Sequence, residues 1–424
     1  MVEYCSDIRH SHLTCHGFKT AVDHNWPYTV QIIRNLSHRS SAQAFCLSPL
    51  SRSSGHSSME TLRTVVGAAR NHGRFAKVFP WVKAPFIIAA PMRIFTGPEL
   101  AFTVSASGGL GFIGPGAKPE DTAADLATTQ ELLSNTSLTA FPTAFSVGGK
   151  KLPVGVGFQL WNGDLAAATK AVKDYQPCAA WLFAPRNGQK ELDEWTASLR
   201  EASPGIHIWH QIGTVQESID AAQSAHKPDV LVVQGAEAGG HGRATDGMGI
   251  MALFPEIADN VRNANIGLIA AGGIVDGRGV AAALALGADG VAMGTRFLAS
   301  SEARISKGYQ NEVVRAKDGA HATTRTHLYN HLRGTMGWPE QWSPRGITNK
   351  SWEEHQAGVP FEQLKNRHDE ALKTGEDAWG VNGRTATYAG AAIGLVHSVE
   401  DGSTITVRLR DEAKSILKGL GSEL

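Results

Sequence analysis

An excess of charge of either sign is missing from this chain of 424 residues, which carries 40 Lys and Arg against 40 Asp and Glu. A formal net charge of +0 provides no polycationic field for nucleic acid and no basic block for an anionic membrane. Apolar runs are also short, since none reaches the roughly 18 residues that a membrane helix needs. We therefore expect small-molecule partners, with no nucleic acid and no membrane among them.

Cysteine is scarce, and its spacing does not suggest a metal site. The chain has four cysteines without a CxxC pair, and three of them (Cys5, Cys15 and Cys46) lie in the first 58 residues. The fourth is Cys178. We predict neither a metal site nor a disulfide framework, and the chain beyond residue 58 is typical of a reducing compartment such as the cytoplasm.

Residues 1–58 differ in composition from the rest of the chain. They are rich in Ser, His and Arg, poor in Asp and Glu, and lack sustained periodicity. Three interpretations stay open: an organellar transit peptide, a disordered extension, or translated sequence upstream of a start at Met59. We predict no fold for this segment and assign residues 1–82 to an N-terminal extension. The predicted location is cytoplasmic, or mitochondrial if the segment is a transit peptide.

From Lys83 onward, short apolar strands alternate with helical patterns of about 10–15 residues, which indicates a parallel sheet with right-handed crossovers. Eight such units favour an α/β fold, the closed (β/α)8 TIM barrel, over residues 83–309, although counting alone leaves a doubly wound open sheet possible. Phe141–Lys151 reads as an irregular insertion. The predicted strands are Ala84–Met92, Leu110–Gly114, Pro153–Trp161, Ala179–Pro185, Gly205–Gly213, Asp229–Gly235, Gly267–Gly273 and Asp289–Leu298.

The pattern changes in residues 310–424, which we interpret as a C-terminal extension. Residues 310–350 are dense in Trp, Pro, Gly and Arg, and two helix-like stretches follow at Phe361–Gly375 and Thr406–Leu420. We expect this extension to pack on the barrel and to cover part of its mouth.

Two glycine-rich strand ends predict a phosphate site. In a parallel barrel the active site lies at the carboxyl ends of the strands. Glycine lets backbone N–H groups approach a phosphate closely, and a helix N-terminus attracts an anion. The alternative is that these glycines only form tight turns. The residues concerned are Ala271, Gly272 and Gly273 after the seventh strand, and Met293, Gly294 and Thr295 after the eighth.

A single histidine, His241, lies in the glycine-rich loop after the sixth strand, directly behind Gly239 and Gly240. Histidine titrates near neutrality and can take or give a proton at the barrel mouth. We therefore predict a catalytic role for His241, the alternative being an ordinary surface residue. His210 also lies near a strand end, but strand alternation directs it toward the helices.

Polar strand ends suggest a heterocyclic ligand. Gln159, Gln211 and Gln234 end the third, fifth and sixth strands. An amide both donates and accepts hydrogen bonds, which suits a ring with alternating C=O and N–H edges such as a flavin. Ala90, Pro91 and Met92 after the first strand would provide backbone and an apolar wall. Polar packing inside the barrel is the alternative.

Five motifs, taken together, resemble the nitronate monooxygenase family, formerly called 2-nitropropane dioxygenases. They are AAPM, VGVGF, QGAEAGGH, AAGGI and GADGVAMGTRF, and they occur in the family's order within residues 83–300. The resemblance implies a TIM barrel that binds FMN non-covalently, with the phosphate at the two glycine-rich strand ends. It also implies that His241 matches the family's active-site histidine.

The reaction implied by this resemblance is the oxidation of alkyl nitronates by O2 to an aldehyde or ketone plus nitrite, through a flavin semiquinone. His241 would act as a base toward a neutral nitroalkane, or, if protonated, would hold the nitronate oxygens. Two other functions stay open: an FMN-dependent NADH enoyl-(acyl carrier protein) reductase, and a barrel that binds a phosphate ligand without redox work. A homodimer is also open.

Overall fold

Eight parallel strands close into a barrel in chain order, and the last strand pairs with the first. The computed structural model describes residues 73–135, Phe141 and 151–423. Closure confirms the predicted TIM barrel and excludes the open sheet, and each predicted strand overlaps an observed one. The barrel strands are β1 (Ile87–Ala89), β2 (Leu110–Ile113), β3 (Leu152–Gln159), β4 (Pro177–Phe183), β5 (His207–Ile212), β6 (Val230–Gln234), β8 (Gly267–Ala271) and β9 (Gly290–Met293). The predictions for residues 1–58 and for most of the insertion Phe141–Lys151 fall outside the described residues.

The strands are apolar almost throughout because both of their faces are covered, one by the barrel interior and the other by helices. Every residue of β2, β8 and β9 is buried. The helices between the strands are α2 (Pro98–Ala106), α3 (Asp121–Asn135), α4 (Leu165–Tyr175), α5 (Gln189–Ala202), α6 (Val215–Gln223), α7 (Ile250–Asn260) and α8 (Gly277–Ala285).

Side-chain caps determine where several of these helices begin. The Asp164 carboxylate accepts the Ala167 N–H ahead of α4. Thr214 and Glu217 form a reciprocal capping box at the start of α6. Asp276 accepts the N–H groups of the first turn of α8. Each cap satisfies N–H groups that have no partner within the helix, so the loops that join strand ends to these helices are held at their far end.

The amino-terminal end of the barrel is closed by Phe75, the one aromatic residue of α1 (Arg74–Val78). The ring of Phe75 lies 4.9 Å from that of Phe86 and 6.0 Å from that of Trp209, between ring centroids. Gly267, the first residue of β8, leaves room for Phe75, since a Cβ there would lie 2.8 Å from its ring. A ligand therefore reaches the barrel from the opposite end, where the strands finish.

The chain between β6 and α7 forms a strand, β7 (Gly240–Arg243), where the sequence analysis expected a loop. With β10 (Thr323–Arg325) and β11 (Trp342–Ile347) it makes a separate antiparallel sheet in the order β10-β11-β7. His241 is therefore part of a strand, in register with Pro344. The glycine content suggested a loop. The strand could not be recognised from the sequence because its pairing partners lie about 100 residues further along the chain.

The C-terminal part of the chain lies partly over the mouth and partly in the barrel wall. Its last helix, α15 (Gly402–Glu423), overlaps the predicted stretch Thr406–Leu420 and packs against α8 and α2. Gly277 allows this close approach, because a Cβ there would lie 2.3 Å from Glu412. The helices that follow the last barrel strand are α9 (Thr295–Leu298), α10 (Lys307–Arg315), α11 (Gly319–Ala322), α12 (Leu328–Leu332), α13 (Lys350–Gln356), α14 (Phe361–Leu372) and α15 (Gly402–Glu423). Across the described part of the chain, none of these or the other helices is both long and apolar enough to span a bilayer.

The position of α15 predicts that it contributes to the stability of the barrel. Leu409 is 0% exposed in the core shared with α2 and α8, whereas Leu420 on the same helix is 55% exposed. Leu409→Ala should lower the free energy of unfolding by about 2–5 kcal/mol, because it leaves a cavity in a packed core. Leu420→Ala is the matched control, with an expected change within about 0.5 kcal/mol. Urea unfolding measures both, and equal effects would contradict this account.

Candidate active site

One cavity lies at the carboxyl ends of the barrel strands, and residues of the C-terminal extension form its far wall. Arg333, Trp338 and Tyr388 of the extension, and Tyr309 just before it, line the cavity together with the strand ends. The structure brings all the site residues predicted from sequence to this cavity: Ala90, Pro91, Met92, Gln159, Gln211, Gln234, Gly239, Gly240, His241, Ala271, Gly272, Gly273, Met293, Gly294 and Thr295.

The two glycine turns are neighbours because β8 and β9 pair in parallel, with Ala271 beside Ala292. Gly272 and Gly273 have φ values of +93° and +73°, a region that side chains rarely adopt. A Cβ at Gly272 would also lie 2.9 Å from the carbonyl oxygen of Gly235. This turn therefore requires glycine both for its conformation and for its close packing, and both glycines line the cavity.

The turn after β9, at Gly294–Thr295, is hydrogen-bonded to the C-terminal extension. The Thr295 hydroxyl accepts the N–H of Gly390 at 3.0 Å, and the Ala391 N–H donates to the Glu237 carbonyl at 2.8 Å. Gly239 completes the contact, since a Cβ there would lie 2.4 Å from the backbone of Ala389. The segment 389–391 thus bridges the turn after β6 and the turn after β9.

His241 is held by three side chains from the extension. Its Nε2 lies 3.1 Å from Oδ1 of Asn330, which also accepts the Tyr388 hydroxyl at 3.1 Å. The imidazole stacks on Trp338, with ring centroids 3.5 Å apart and planes 7° from parallel, and meets Tyr388 edge-on. With the Asn330 amide in this orientation, Nε2 donates the hydrogen bond and Nδ1 carries the lone pair.

The surroundings of His241 keep its imidazole neutral. Burial lowers the pKa of His241 to about 3, and the nearby charges of Arg325 and Arg333 act in the same direction. The hydrogen bond to Asn330 opposes this shift but is the weaker effect. At neutral pH the imidazole is therefore uncharged, which favours its use as a proton acceptor or neutral hydrogen-bonding group over its use as a cation.

The three glutamines differ in what their amides are free to do. Gln211 accepts the Trp181 Nε1–H at 2.9 Å through its oxygen, so its NH2 group is available to the cavity. Gln234 donates to the carbonyl of His241 at 3.2 Å and so supports the backbone of β7. Gln159 donates to Asn162 at 2.8 Å at the edge of the cavity. Gln211 is therefore the best placed of the three to bind a ring.

His210 faces away from the cavity, as strand alternation predicted. It is fully buried, and its Nε2 lies 2.9 Å from the hydroxyl of Thr196 on α5, outside the barrel. Burial lowers its pKa to about 3. His210 is thus a neutral packing residue between strand and helix.

Several residues of the site were not found from the sequence. His241 is contacted by three residues that lie 89 to 147 positions away in the sequence, Asn330, Trp338 and Tyr388. No local sequence pattern indicates contacts between residues so far apart. Arg93 and Arg333 also line the cavity, and within the described residues neither forms an ion pair with a carboxylate. The only available signal was the density of Trp and Arg in residues 310–350, which does not show which of them reach the cavity.

The environment of His241 makes a prediction about its titration. A 15N-histidine NMR titration should show no change for His241 between pH 8 and pH 5, because the folded protein holds the neutral form down to a pKa of about 3. Since the unfolded chain binds a proton at its ordinary pKa of about 6.5, stability should fall as the pH drops from there toward 3. The signal is assigned by its absence in His241→Gln. A midpoint near 6.5 in the folded protein would contradict the assignment.

The barrel and its cavity were compared with known proteins. The family model described as nitronate monooxygenase matches residues 191–357. The chain is 59% identical over 349 residues to "Nitronate monooxygenase npaC" of Metarhizium robertsii, covering 82% of this chain and 96% of that one. It is 34% identical to "Nitronate monooxygenase" of Neurospora crassa, covering 80% of this chain and 92% of that one.

Solved structures resemble this chain in fold. FabK from Thermotoga maritima has a TM-score of 0.63 at 24% identity, covering 83% of this chain and 99% of its own. Nitroalkane oxidase from Streptomyces ansochromogenes has a TM-score of 0.60 at 22% identity, covering 82% of this chain and 99% of its own. At these identities the likeness establishes the barrel alone, whereas the two fungal relatives establish the family. The chain belongs to the nitronate monooxygenase family and is an oxidoreductase.

Proposed function

We propose that this protein binds FMN non-covalently in the cavity and oxidises alkyl nitronates with O2 to an aldehyde or ketone and nitrite. The observation that carries the proposal is that both glycine turns and His241 face one cavity. The two fungal relatives, each named as a nitronate monooxygenase, support the choice of reaction.

The residues at the cavity fit FMN. The turns at Gly272–Gly273 and Gly294–Thr295 line the cavity, and the absence of a side chain at the three glycines would let their backbone N–H groups approach a phosphate. The free NH2 of Gln211 suits a carbonyl of the flavin ring, and Pro91 and Met92 offer an apolar wall. When bound, FMN would supply the redox chemistry, while the protein supplies binding and orientation.

The charges around the cavity suit an anionic substrate. Arg93 and Arg333 line the cavity. Burial lowers the pKa of Arg93, and the neighbouring positive charge of Arg333 lowers it further. Two cations without carboxylate partners in the described part of the chain attract a nitronate and raise its local concentration. A neutral nitroalkane gains less from these charges.

The roles of His241 differ between the two substrate forms. A nitronate has already lost its α-proton and needs no base. A neutral nitroalkane must give up that proton, and Nδ1 of the neutral imidazole is the group placed to accept it. Because its low pKa makes His241 a weak base, we expect nitronates to be the better substrates. Trp338 stacks on the imidazole and Tyr388 contacts it edge-on, so the ring is held in place at the cavity.

The first test concerns the phosphate turn. Gly272→Ala should lower FMN affinity by more than about tenfold, because alanine disfavours a positive φ and its Cβ would press on the carbonyl of Gly235. Gly358→Ala is the matched control, since Gly358 also has a positive φ, +81°, but lies away from the cavity. Flavin released from equal amounts of purified protein measures the occupancy. Full FMN content in Gly272→Ala would remove the turn from the binding site.

The second test concerns the reaction and His241. The wild-type protein should consume O2 and release nitrite on propionate 3-nitronate and on ethylnitronate. His241→Ala should keep FMN but lose about 10²–10⁴-fold in turnover on neutral nitroalkanes, the usual contribution of a general base. The exposed His355→Ala is the control and should match the wild type. Unchanged nitroalkane turnover in His241→Ala would rule out the base role.

The same preparations separate the competing functions. Rapid reduction of a bound flavin by NADH alone, without nitrite release from nitronates, would favour the enoyl-(acyl carrier protein) reductase. A colourless protein that gains no flavin when FMN is added would favour a barrel that binds a phosphate ligand without redox work.

A further inference from the structure

We propose that Arg325 is a positioning residue of the active site, whose guanidinium fixes the glycine-rich backbone that carries His241. The inference rests on the proposed function of His241. Arg325 does not line the cavity and would act only through the backbone that it binds.

The guanidinium of Arg325 donates hydrogen bonds to several carbonyl groups of the turn between β6 and β7. Its Nη2 donates to the carbonyls of Ala236 at 3.2 Å and Ala238 at 3.1 Å. Its Nη1 donates to the carbonyl of Ser343 on β11 and, at 3.4 Å, to that of Gly240. One side chain thus joins the turn to the strand that pairs with His241.

The backbone around His241 needs support from other residues because its glycines do little to restrict its conformation. Gly239, Gly240 and Gly242 surround His241, and glycine loses more conformational freedom on folding than any other residue. Hydrogen bonds from Arg325 restrict the peptide group just before Gly239, through the Ala238 carbonyl, and the one just before His241, through the Gly240 carbonyl. The imidazole can keep its place against Asn330 and Trp338 only if this backbone stays in one conformation.

The sheet register places a second arginine beside the first. Arg325 lies opposite Arg345, and Arg345 lies opposite Gly240, so the three residues form one row across β10, β11 and β7. Arg345 also donates to the Ala236 carbonyl, at 3.3 Å. Like charges directly opposite each other destabilise a strand pair. Within the described residues neither arginine forms an ion pair at contact distance, although the charge of Glu237 acts favourably on Arg345. Hydrogen bonds to backbone carbonyls offset the repulsion at Arg325.

The chemistry of the guanidinium explains why lysine would not suffice. Arginine presents five donors in a rigid plane and can serve several carbonyls at once, whereas an ammonium group is a compact point charge. Burial and the neighbouring charge of Arg345 lower the pKa of Arg325 to about 10. The group therefore stays protonated across the pH range of the assays.

The test compares two arginine-to-lysine variants. Arg325→Lys should lower kcat for neutral nitroalkanes by about 10- to 100-fold with little change in KM, because a small displacement of the base His241 is costly while the residues that line the cavity remain in place. The control is Arg410→Lys. Arg410 is buried on α15 and also donates to a carbonyl, that of Ser107 after α2, away from the mouth. Arg410→Lys should keep kcat within twofold of the wild type.

Chemical rescue separates positioning from a general loss of stability. Added guanidinium should restore part of the kcat of Arg325→Ala, whereas ethylammonium should not, and thermal midpoints and FMN content are recorded for every variant. If Arg325→Ala does not fold, Arg325→Lys decides alone. A kcat of Arg325→Lys within twofold of the wild type, or a fall that follows only its FMN content, would overturn the inference. Absence of nitronate oxidation by the wild type would instead overturn the proposed function.

Discussion

The site depends on the parallel pairing of β8 with β9, which closes the barrel beside β1. This pairing places the turn at Gly272–Gly273 next to the turn at Gly294–Thr295, so that both turns line one cavity. Closure of the barrel is therefore the condition for the proposed phosphate site, and α15 contributes to closure by packing over the wall between α8 and α2.

A second sheet brings His241 to this cavity. The strand β7 leaves the barrel after β6, pairs with β11, and carries His241 back over the mouth. Its position combines two opposing demands, since glycines free the backbone to approach the cavity while Arg325 and the stack on Trp338 hold it still. The same enclosure that fixes the imidazole lowers its pKa and keeps it neutral.

The barrel could be predicted from sequence because its signals are local. Each strand is a short apolar run, and caps such as Asp164 and Thr214 mark helix starts within a few residues. The glycine turns could be predicted for the same reason. The strand β7 could not, because its hydrogen-bonding partners lie about 100 residues away and its glycines indicate a loop. Asn330 and Tyr388 were missed because only the folded extension brings them to His241.

The central claim is that the two glycine turns hold the phosphate of FMN and leave its ring beneath His241. A crystal structure of the protein saturated with FMN tests it most directly. The account predicts the phosphate within hydrogen-bonding distance of the backbone N–H groups at Gly272–Gly273 and Gly294–Thr295, with the ring between the Gln211 amide and the imidazole. A phosphate bound elsewhere, or a ring that lies away from His241, would contradict it.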